Sequence, residues 1–124
     1  MQNNHHHPKS KNTGVTVAAT SSGASATVLY TCPAKNKGEV NLLTVSNPTS
    51  AAINVTVEIY NSQATAYYSI VNTFSIAANS VIYVVNEGDT ILLNPTDKVV
   101  VSASTGGSLT SYISVRETYG EALA

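Results

Sequence analysis

Three consecutive histidines (His5, His6 and His7), one cysteine (Cys32) and an acidic group at Glu87, Asp89 and Asp97 are the side chains through which this chain of 124 residues could do chemistry. Each lacks the company that its chemistry needs. Imidazole is the commonest neutral metal ligand, but adjacent residues of an extended chain point in different directions, and no carboxylate or thiol stands beside the three histidines. A nucleophilic cysteine needs a base or a positive field to lower its pKa, and residues 13 to 119 contain no histidine. Cys32 is therefore expected to be a small buried hydrophobe, and the same lack removes any Ser-His-Asp arrangement. Calcium takes roughly 6–8 oxygen ligands. The stretches Glu87-Gly88-Asp89 and Asn94-Pro95-Thr96-Asp97 offer few, and they read as turns whose polar side chains fold back onto their own backbone. The chain is thus expected to bind and assemble rather than to catalyse: no catalytic residue, cofactor or metal ion is assigned.

The tyrosines Tyr60, Tyr67, Tyr68, Tyr83 and Tyr112 offer another route to a binding site, as a sugar-stacking platform. Carbohydrate-binding modules usually favour tryptophan for that purpose, and the chain has none. Tyr68 and Tyr83 are expected in the core or at an interface, with their hydroxyls at its edge. The sequon Asn54-Val55-Thr56 falls inside a strand and is set aside.

Only 10% of residues are charged, about half the usual share, so Ser, Thr and Asn must cover most of the surface. Such a surface tolerates close contact, because little ionic hydration is stripped on packing. The charges are unevenly placed. Lys9, Lys11, Lys35 and Lys37 lie in the first 38 residues without an acid, whereas Lys98 and Arg116 face all seven acids thereafter. Four lysines are too few for nucleic-acid binding. Together with His5, His6 and His7 they are the candidate contacts to a protein partner. Cys32 has no partner cysteine, no apolar stretch reaches membrane length and no signal peptide opens the chain. Synthesis in a cytoplasm, without membrane contact, is expected.

The elements that must position these residues are strands. Residues 1 to 12 hold no large apolar residue after Met1 and read as a flexible arm, ordered by a partner. A domain follows over residues 13 to 119, and residues 120 to 124 form a short tail. Strands are predicted at Val15 to Ala19, Thr27 to Thr31, Val40 to Ser46, Ile53 to Asn61, Tyr68 to Ile76, Val81 to Val85, Thr90 to Leu93, Val99 to Ser104 and Leu109 to Thr118, with Lys35-Asn36-Lys37-Gly38 as a solvated loop. In Ile53 to Asn61 the residues Ile53, Val55, Val57 and Ile59 share one face. Val81 to Val85 does not alternate, which predicts burial on both faces. No segment keeps helical spacing. The whole predicts an all-β antiparallel sandwich, jelly-roll-like, of about eight strands, with Val55, Val57, Ile59, Ile70, Phe74, Val101, Ile113 and Val115 in its core.

The run Thr27-Val28-Leu29-Tyr30-Thr31-Cys32-Pro33-Ala34, followed by Val40 to Asn47, resembles small β-sandwich proteins of tailed bacteriophages. In that group a strand ending Tyr-Thr-x-Pro-Ala leads through a glycine/lysine loop into a strand ending near Asn. Ile53 to Glu58, Asn86 to Ile91, Val99 to Ser104 and Tyr112 to Glu117 are similar too, although the loop at Lys35 to Gly38 is longer and more basic than the usual form. The resemblance implies a virion structural component without catalytic residues: a capsid decoration (cement) protein that stabilises the phage head, or an accessory part of the neck, tail or a fibre. It also implies a homo-oligomer, with a trimer favoured, and the major capsid protein or other virion proteins as partners. A carbohydrate-binding β-sandwich module is the alternative from another class.

Overall fold

The structure, a computed structural model, describes residues 9–19, 21–86, 88–105 and 108–119. Its elements are β1 (Lys9–Val17), β2 (Thr27–Thr31), β3 (Asn36–Asn47), β4 (Ile53–Asn61), β5 (Ala66–Ile76), β6 (Ser80–Val85), β7 (Ile91–Leu93), β8 (Lys98–Ala103) and β9 (Leu109–Tyr119). Among the described residues the only helical piece is one 3-10 turn, Gly23–Ser25.

Two antiparallel sheets pack face to face. One has the order β1-β9-β3-β6, with the short β7 pairing β3 end-on to β6, and the other has the order β2-β8-β4-β5. Leaving β7 aside, the first strand pairs the last, the second the next to last, the third the sixth and the fourth the fifth. This nesting is the double Greek key of a jelly roll, as the strand and turn pattern predicts. Alternation along each strand turns one apolar row inward. Leu43 and Val45 of β3, Val55 and Val57 of β4, Val101 of β8, and Ile113 and Val115 of β9 are fully buried or nearly so.

Several expectations need correction. The arm does not reach residue 12: Lys9 to Asn12 already pair with Glu117 to Ser114 of β9. Their polar side chains suit an edge strand that lies open to water, so the sequence there carries no apolar signal. Asn36 to Gly38 belong to β3, not to a loop. A Cβ on the buried Gly38 would meet Val115 Cγ1 at 3.2 Å and Cys32 Sγ at 3.6 Å, so the glycine lets the strand run close beneath the core. Ile70 and Phe74 are 41% and 50% exposed, and Ile59 is only half-buried. The reason is that β5 is an edge strand, kinked where Asn72 and Thr73 bulge between the pairs Val55–Phe74 and Val57–Val71, with Thr73 at φ 52°.

The strand buried on both faces is not β6. Val81 and Tyr83 are exposed, because β6 closes the outer edge of its sheet. Two-sided burial falls on β8, where Val99 to Ala103 are all buried. There the backbone N–H of Gly23 donates to Glu58 Oε1 at 2.7 Å. This bond holds the 3-10 turn against the outer face beside Val100, the register partner of Glu58.

Candidate interaction surface

The structure separates the residues singled out for chemistry. His5, His6 and His7 lie outside the described residues, as does Glu87. Lys9 and Lys11 project from the same side of β1, two residues apart and exposed, opposite Glu117 and Val115 of β9. Lys37 sits in β3 opposite Thr118, on the other face of that sheet, and Lys35 occupies the preceding turn at φ 72°. The lysines therefore form no single patch.

The carboxylates act as internal ties. Asp97 is buried. Its Oδ2 accepts from the Asn94 N–H at 3.0 Å, and its Oδ1 accepts from the Ser62 N–H and hydroxyl, each at 3.0 Å. Asp97 thus sets its own turn, as expected, and also anchors the end of β4. Glu117 is buried and accepts the hydroxyl of Tyr30, itself buried. Burial first, then the hydrogen bond and the charge of Glu117, push the Tyr30 phenol above its ordinary range. Cys32 is fully buried, and its Sγ donates to the Asn36 carbonyl at 3.4 Å. Burial first, then the charges of Glu117 and Asp97, push its thiol up to about 11, against a smaller lowering by the Tyr30 hydroxyl. A thiol held protonated is a poor nucleophile. Among the described residues no three His, Cys, Asp or Glu side chains gather as metal ligands.

The tyrosines also part company. Tyr60 and Tyr67 pair across β4 and β5 with ring centroids 4.7 Å apart, and Lys98 Nζ lies 5.6 Å from the Tyr60 ring. Tyr83 and Tyr112 both pair with Thr44, from opposite sides, on the outer face of the other sheet. Beside Tyr112 a hollow of about 430 Å³ is lined by Gly14, Thr16, Thr44, Ser46 and Thr110.

What sequence reasoning did not find is the apolar edge where β5 and β6 meet. Ile70, Phe74 and Tyr83 are all exposed there. Between the two strands runs a groove of about 370 Å³ lined by Ile70, Phe74, Ile82, Val84 and Ile91. A signal was present in the sequence: from Ile59 to Asn86 there is no charged residue and no histidine. The groove can seat apolar side chains, and Asp89 and Thr90 line it beside Ile91.

No family model matches the chain, and no curated protein matches it either. Among solved structures, the chain is similar to one from the T13 IBDV viral particle, described in work on the evolution of icosahedral viruses. The TM-score is 0.50 and the identity 11%, and the alignment covers 94% of this chain and 33% of that one. This chain thus spans about a third of its neighbour's length, and at that identity the likeness is one of fold.

Proposed function

We propose that this protein is a non-enzymatic structural component of a virion, a decoration (cement) protein that binds and stabilises a phage head. One observation carries the reading: almost the whole chain, 94% of it, follows the fold of a chain that belongs to a viral particle. The surface supports it. Few charges, buried carboxylates used as ties, and an inert thiol suit a subunit whose work is contact. The test is to purify intact particles and quantify the protein in them, then strip and restore it. High copy number, and heads that release their genome at lower temperature without it, are expected. Absence from purified particles overturns the reading, and recovery with tail or neck fractions alone moves it to an accessory position.

A glycan-binding role is the second reading, and the hydroxyl-lined hollow beside Tyr112 is the observation in its favour. Glycan-array binding that disappears on Tyr112→Ala, in a protein missing from particles, would establish it instead.

A further inference from the structure

We infer that the outer face of the β2-β8-β4-β5 sheet carries a binding site for one neutral sugar unit, built on Ser102. The inference does not rest on the virion role proposed above.

Alternation along the strands supplies that face. Asn54 and Thr56 of β4 point away from the core, as does Ser102 of β8, the register partner of Thr56. On the other side of Thr56, Asn72 and Thr73 of β5 together occupy one place in the ladder. The Thr73 N–H donates to Thr56 Oγ1 at 3.0 Å, which fixes this bulge against β4. Ser22 stands at the start of the 3-10 turn that Glu58 holds over the same face. With Ser104 these side chains line a hollow of about 270 Å³.

Ser102 is the observation that points to a ligand. It is 5% exposed, yet among the described residues its hydroxyl has no hydrogen-bond partner. Buried polar groups are as a rule paired, because an unpaired one is costly. This one lies in an open hollow, where a ligand can pair it. Asn54 and Asn72 flank it with exposed carboxamides, each able to donate and to accept.

The lining selects the class of ligand. Among the described residues it holds no charge, so nothing offsets the desolvation of a phosphate or carboxylate. It also holds no aromatic ring, and no aliphatic side chain larger than that of Ala103. Neither a base nor an apolar side chain would find support there. Hydroxyls and carboxamides donate and accept at once, as the neighbouring hydroxyls of a sugar ring require. The hollow is smaller than the ~300–1,000 Å³ of pockets for drug-sized molecules, which suits a single sugar unit. It is distinct from the hollow beside Tyr112, which opens on the other sheet.

NMR on the full chain labelled with nitrogen-15 tests this, with glucose, galactose, mannose and N-acetylglucosamine titrated to ~50 mM, where a millimolar site fills. At least one of these sugars should saturably shift the amides of Asn54, Thr56, Asn72, Ser102 and Ser104, leaving those around Tyr112 in place. Ser102→Ala and Asn54→Ala should each weaken that sugar at least threefold, whereas Tyr112→Ala should not change its affinity. Glucuronic acid should bind no more tightly than the preferred neutral sugar. Ser102→Ala should also unfold at the same urea concentration as the natural chain or a higher one, because it removes an unpaired buried hydroxyl. A lower midpoint would mean that the hydroxyl is already paired within the fold, and the inference fails. It fails equally if no sugar gives a saturable shift, if the shifts fall on the Tyr112 face, if glucuronic acid binds best, or if Ser102→Ala keeps full affinity.

Discussion

Asn47, the last residue of β3, donates its side-chain amide to the carbonyl of Ile76, the last residue of β5, at 3.0 Å, so a single side chain ties one sheet to the other. The same amide reaches Ala51 O at 2.8 Å and Ala77 O at 3.2 Å, while Oδ1 accepts from the N–H and hydroxyl of Thr49 at 3.0 and 2.7 Å. Asn47 is 1% exposed, so water cannot replace these bonds. Asn47→Ala should cost about 2–3 kcal/mol. Asn47→Asp should cost more, because a carboxylate oxygen would then face three carbonyls. Urea denaturation followed by circular dichroism checks both, and an alanine variant within ~0.5 kcal/mol of the natural chain would show that the tie is dispensable.

The Tyr30–Glu117 pair bridges β2 and β9, again from one sheet to the other. Tyr30→Phe leaves a buried carboxylate without its donor and should cost about 1–3 kcal/mol. In that background Glu117→Gln should recover part of the loss, since a neutral amide is cheaper to bury than a charge. Equilibrium unfolding of the two single variants and the double variant gives the coupling energy. A value near zero would mean that the two groups are neighbours without interaction.

Cys32 makes the fold sensitive to alkali. Its folded pKa, about 11, lies above the ordinary value of 9.0, so the folded state holds a proton that the unfolded chain releases. The stabilisation is complete below about pH 9 and is lost as pH rises through the folded value, by roughly 3 kcal/mol in all. Tyr30 is shifted in the same direction and adds to the loss at higher pH. Melting temperatures across pH 8 to pH 11 should fall, and fall less in Cys32→Ala. The native thiol should also alkylate much more slowly than the urea-unfolded thiol. Alkylation at equal rates would contradict its burial.

Local pattern made much of this architecture legible. Ile53 to Asn61 is read correctly to the residue as β4, because one of its faces is buried and alternation reports that directly. Alternation does not tell a central strand from an edge, and so it predicts a core position for Ile70 and Phe74, which line an open groove. An unbroken apolar run is equally ambiguous. Val81 to Val85 and Val99 to Val101 are both unbroken apolar runs, yet only the second has strands on both sides and a turn laid over it. Lys9 to Asn12 and Asn36 to Gly38 join strands through backbone pairing alone, which leaves no mark in hydropathy. The Tyr30–Glu117 tie spans 87 positions and exists only once the sheets have packed.

The start of β1 divides the N-terminal segment into two parts with different expected roles. Lys9 to Asn12 are laddered to β9, whereas residues 1–8, with the three histidines, precede that ladder. Removing residues 1–8 should leave stability within ~0.5 kcal/mol of the natural chain, while removing residues 1–12 deletes four paired positions and should cost more. On the proposed virion role, Lys9 and Lys11 are exposed on one side of β1 and would meet acidic groups on a neighbouring virion protein. Such pairs are screened by salt, with a Debye length of about 10 Å at 0.1 M. Replacing both lysines by glutamine should therefore lower particle occupancy at low salt and make the remaining binding insensitive to salt. If the doubly substituted protein fills particles as fully as the natural chain at both low and high ionic strength, these lysines have no docking role, and attachment must come from an uncharged face.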